Sequence, residues 1–166
     1  MSEATEDSGP RLVAASDSAG AIYGTIVAMA VIASAAHDPT RGRALELTLS
    51  TLCVFWLAHV YADALAHHLQ GSRRLDLPAI RAAMADQVPL LLGPLPCLLP
   101  LGMDSLGLLD PGAAVTLSLW IGVAQLIGWG VTYARRHHWS WAVAATAGVL
   151  NGIFGVLIVI LEILIH

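Results

Sequence analysis

Ionisable side chains inside apolar stretches are the residues here whose types and spacing suit chemistry, and one segment holds most of them. Between Leu45 and His68 stand Glu46, Ser50, His59, Asp63, His67 and His68. His59, Asp63 and His67 are spaced by four, so on a helix their side chains descend one face, with Trp56 and Gln70 flanking it. Imidazole titrates near neutrality and a carboxylate can hold it charged, so this His–Asp–His ladder suits a proton relay. It also suits metal ligation. The simpler reading has His59 and Asp63 bonding to a neighbouring helix, with His67 and His68 at the cytoplasmic membrane boundary. A second set pairs His67-His68 with His137-His138, four imidazoles that suit Zn or a similar ion. Neither pair has defined ligand spacing, so no metal and no cofactor are assigned.

Other polar groups within apolar stretches are sparse. Asn151, Glu162 and His166 share a helical face, and Gln125 and Asn151 are the mid-span amides, for which interhelical bonding is the default. No nucleophile stands beside a base, no glycine-rich loop cradles phosphate, and no cysteine pair has redox spacing. The sequence does not read as an enzyme.

These residues acquire meaning from the elements that carry them. The chain has 166 residues, 57% hydrophobic and 12% charged, with a mean hydropathy of +0.71. Soluble domains carry about 25% charged residues, so this chain has too few to cover a water-facing surface. Its net charge is −4 and all eight basic residues are Arg, which leaves no basic face for nucleic acid. The fold class expected is all-α: a polytopic integral membrane protein with about five transmembrane helices.

Residues 1–10 read as a disordered acidic tail rather than a signal peptide, and 11–166 as one transmembrane domain. The spans fall at about Ser18 to Ala36, Leu45 to His68, Gln87 to Leu109, Gly112 to Ala134 and Trp139 to Ile165. Each is near the ~20 residues that cross ~30 Å of hydrocarbon. The connector from Leu69 to Asp86 has apolar residues at helical spacing and reads as a short interfacial helix. Pro89, Pro94, Pro96 and Pro100 imply a kinked third span shielded by protein. With five spans, Arg11, Arg73, Arg74, Arg81, Arg135 and Arg136 share one side, and only Arg41 and Arg43 the other. The positive-inside rule then puts the N-terminus in the cytoplasm and the C-terminus outside. Ala144, Gly148 and Gly152, and likewise Ala124 and Gly128, are four apart and allow close helix packing, within the chain or between copies. Cys53 and Cys97 read as small buried fillers.

Three segments resemble the endolysosomal and prokaryotic potassium channels of the transmembrane protein 175 type. The family signature R-x-x-x-F-S-D, followed by A-I-x-x-T, is matched in spacing by Arg11, Ser16, Asp17, Ala21, Ile22 and Thr25, with Ala15 in place of the Phe. Phe55-Trp56-Leu57-Ala58-His59 is similar to the family's second helix, and Tyr133-Ala134-Arg135-Arg136-His137 to its fourth. The family repeat has six spans, against five here.

The resemblance implies a homo-oligomer, a tetramer favoured, in a bacterial cell membrane, with the first helix lining a pore for monovalent cations, potassium above all. Ile22, Ile26 and Met29 would form the constriction, and Thr25 would lie near the pore. Arg11, Ser16, Asp17, Trp56 and His59 would be the supporting network. Beside this reading stand a small proton-coupled transporter or proton pathway through His59, Asp63 and His67, and a structural or accessory membrane protein without transport.

Overall fold

The computed structural model describes residues 9–36, 38, 40–69 and 77–165; the side chains of 9–18, 67–69, 78, 79 and 165 lie outside that description. Among the described residues the regular structure is helical throughout, in the order α1 (Gly9–Ser34), α2 (Arg43–Leu69), α3 (Leu77–Asp86), α4 (Val88–Leu92), α5 (Leu95–Ser105), α6 (Pro111–Arg136) and α7 (Trp141–Ile165). The expected tail lies outside the described residues up to position 8, while Gly9 and Pro10 are already helical.

The long helices form where no proline falls beyond the first turn. In α6, Pro111 takes the first position, where an N–H would lack a helical partner anyway. The Asp110 side chain caps it by accepting from the N–H groups of Gly112 and Ala113. Arg135 and Arg136 close the same helix, where its dipole favours cations. The proline-rich stretch behaves differently. It breaks at Gly93-Pro94, and Ile80–Leu92 and Leu95–Ser105 meet at a bend of 64°. Pro89 and Pro96 fall in the first turns of α4 and α5, so each proline restarts a helix that it could not continue.

Arg43–Ala66, Pro111–Arg136 and Trp141–Leu164 are long and apolar enough to cross a membrane, and the bent pair makes a fourth span if it is counted as one. The apolar stretch Ala19–Ser34 of α1 is shorter. By length and composition there are thus three or four spans where the sequence led to five. A helix, α3, does occupy the connector.

The core lies along α1, which packs against α2, α4, α6 and α7. Met29 and Ile32 of α1 meet Leu52, Leu90, Leu101 and Leu126 there. On the α6–α7 seam, Gly148 and Gly152 lie against Ile127, and Gly130 against the Ala147 carbonyl, so the α7 small-residue motif is used within the chain. The Ala124–Gly128 motif faces outward, and a Cβ at Gly128 would meet nothing within 4 Å. Only 11% of the α2 span and 22% of the α7 span are buried. Val54, Leu57, Tyr61, Phe154, Leu157 and Leu164 all point outward. Water tolerates apolar patches of only a few hundred Å²; the faces and helix lengths together suggest an integral membrane protein.

Candidate functional site

Between α1 and α2 the His59 ring forms an aromatic cluster with Tyr23 and Phe55, its centroid 5.4 Å from the first and 6.4 Å from the second. His59 Nδ1 lies 2.8 Å from the Phe55 carbonyl oxygen, which can only accept. Nδ1 therefore carries the proton in this bond. Trp56 Nε1 is buried without a hydrogen-bond partner among the described residues. Asp63 follows one turn after His59 and is half-buried. The His67 and His68 side chains, and those of Arg11, Ser16 and Asp17, lie outside the described residues, so the ladder is seen only over His59 and Asp63.

The stripe expected on α1 divides. Ile22 and Ile26 are half-buried at the edge of the core, whereas Thr25 and Met29 have no exposure at all. The Thr25 hydroxyl donates to the Ala21 carbonyl at 2.8 Å, a bond within its own helix. Met29 lies over Gly122 of α6, where a Cβ would come within 2.6 Å of its Cγ and Sδ. Met29 is thus a core residue of the single chain. The uncovered strip of α1 instead runs through Ala19, Tyr23, Ala30 and Ser34, with Ile22 and Ile26 at its margin.

The α4–α5 break docks on the same helix. A Cβ at Gly24 would strike the Leu90 carbonyl oxygen, and one at Gly93 would come within 2.6 Å of Ala21 Cα. Two backbones therefore touch where two glycines face them. Gln125 of α6 fixes the break by donating its Nε2 to the Gly93 carbonyl at 2.6 Å. That carbonyl is freed by the interruption, and lipid offers it no donor. The interhelical bonding expected of Gln125 is what the geometry shows.

At the far end of α5, Asp104 reaches the α1–α2 turn. Its Oδ2 accepts from the Gly42 N–H at 2.8 Å, while Arg41 Nη1 donates to the Asp104 and Leu109 carbonyls at 3.0 and 3.1 Å. Arg41 Nη1 also lies 3.6 Å from Asp104 Oδ1, and Arg43 lies 3.0 Å from Glu46 and 3.8 Å from Asp38, so both arginines at this end face acids. At the other end, Arg135 stacks over Trp141 at 4.2 Å and His137 lies 4.7 Å from Tyr133. No three His, Cys, Asp or Glu side chains among the described residues group closely enough to hold a metal.

Sequence reasoning missed Asp104, the single acid between Gln87 and Leu109, and that solitude was the available signal. It also missed the pairing of Gly24 with Leu90, for which no local pattern exists. Cys97 is buried, its thiol 3.0 Å from the Pro94 carbonyl, but Cys53 is exposed rather than a buried filler. No family model, curated protein or solved structure matches the chain.

Proposed function

We propose that the chain is a subunit of a homo-oligomeric membrane cation channel, a tetramer favoured, in which α1 lines the pore and potassium is the leading ion. The observation that carries this reading is the position of α1. It is covered by α2, α4, α6 and α7 yet leaves one narrow strip open along its described length. Cyclic assembly brings one such strip per copy to a common axis and turns it into a pore wall. At the margin of that strip the half-buried Ile22 and Ile26 supply an apolar constriction that gates by wetting. The motif resemblance through Arg11, Ser16, Asp17, Trp56 and His59 supports the same reading.

The topology proposed with it has five crossings: α1, α2, the bent α3–α5 unit, α6 and α7, with α3 near the interface. The α1–α2 turn, the end of α5 and the start of α6 meet through Arg41, Gly42 and Asp104, as such a path requires. Arg41 and Arg43 stand at this end, while Arg81, Arg135 and Arg136 stand on the other side of that path, and the larger count there favours a cytoplasmic N-terminus.

Planar-bilayer recording of purified protein tests the function. Cation current in the wild type, raised in Ile26→Asn by wetting the constriction, is the expected result; silence in both refutes it. A second reading, a proton pathway, is favoured by His59 and Asp63 lying one turn apart and both half-buried, with the His59 ring beside Tyr23. It predicts pH-driven flux in liposomes that Asp63→Asn removes.

A further inference from the structure

The α1–α2 turn, the end of α5 and the first turn of α6 border a half-open cavity of about 440 Å³. Among the described residues Asp38, Asp104 and Asp110 line it with one guanidinium, Arg41, and Arg43 stands 3.8 Å from Asp38, so acids still outnumber cations three to two. The Asp104 side chain is only 4% exposed. Its Oδ2 takes the Gly42 N–H, but its buried Oδ1 accepts no hydrogen bond. The nearest cation, Arg41 Nη1, stands 3.6 Å away, and that nitrogen is engaged with two carbonyls. Buried carboxylate oxygens almost always hold a donor, and among the described residues none donates a hydrogen bond to this one.

We propose that this cavity binds a small organic polycation, a diamine or polyamine. No three acidic, His or Cys side chains among the described residues group closely enough for a metal ion. Ammonium groups separated by an alkyl chain match the cavity well. One ammonium donates to Asp104 Oδ1, and the other reaches Asp38, whose carboxylate retains acceptor capacity beyond its bond to Thr40 and its ion pair with Arg43. Leu101 and Val115 give the methylenes an apolar wall. This proposal does not depend on the channel reading.

Isothermal titration of the purified full chain in detergent tests it, with putrescine, butylamine and magnesium chloride as probes. Putrescine binds, and more tightly than either of the others. Asp104→Asn keeps an acceptor for the Gly42 N–H and weakens putrescine about tenfold or more, as loss of one charge-assisted bond requires. Asp38→Asn, at an exposed turn, weakens it without touching the core. Absence of putrescine binding, unchanged affinity in both variants, or equal affinity for magnesium each overturns the proposal.

Discussion

Replacing Gly24 by Ala tests how the broken segment is held. The added methyl meets the Leu90 carbonyl oxygen, with the Leu90 carbonyl carbon at 3.0 Å and Cα at 3.2 Å. All three are backbone atoms, so no side-chain rotation relieves the clash, and α1 and α4 must separate. Overpacking of this kind costs about 1–3 kcal/mol, and a backbone obstacle puts it at the upper end. Against it stands the helix-propensity gain of Ala over Gly, about 0.8–1 kcal/mol. The net expectation is a loss of about 2 kcal/mol. Gly128→Ala is the internal control. It lies inside α6 with nothing within 4 Å of the new methyl, so only the propensity gain remains and stability rises. Reversible unfolding in mixed micelles, followed by circular dichroism, reads both. A Gly24→Ala protein as stable as the Gly128→Ala one would refute the close backbone contact between α1 and α4.

Three further outcomes follow from single contacts. Gln125→Leu removes the donor to the Gly93 carbonyl and lowers stability by about 0.6–1.7 kcal/mol, the range for hydrogen bonds between membrane helices, in the same unfolding assay. A membrane-permeant maleimide modifies Cys53 before Cys97, which reacts only after unfolding, because the first is exposed and the second enclosed; mass spectrometry of the labelled chain reads the order. At the α1–α2 turn, the Thr40 side chain and N–H hold the Asp38 carboxyl below its ordinary value of 3.8, with Arg43 assisting. A group depressed in the folded state contributes stability above its unfolded pKa and loses it as pH falls through the folded one. That contribution is therefore complete above about pH 4. Thr40→Val moves the Asp38 titration, followed by carboxyl-carbon NMR, back up toward the ordinary value.

The helices were legible in the sequence where their ends carry chemistry. Asp110-Pro111 announces the start of α6, and Arg135-Arg136 announces its close. The prolines between Pro89 and Pro100 announced a distorted third span, though not the 64° bend or its seat on α1. Which face a residue occupies was not legible, for a physical reason. In a soluble helix, polarity separates core from surface. In lipid both sides are apolar, so Met29 in the core and Ile26 at its edge look alike in sequence. Cys53 and Cys97 diverged for the same cause. Asp104 escaped notice because its role depends on Gly42, whose N–H it meets 62 positions away in the chain.

The central claim, that copies of this chain assemble around α1, is tested most directly by single-particle electron microscopy of the purified protein in a lipid nanodisc. A closed symmetric ring is expected, with α1 as the helix nearest the axis and Ile22 and Ile26 at the narrowest point. A monomer, or a ring with α2 or α7 at its axis, would contradict it.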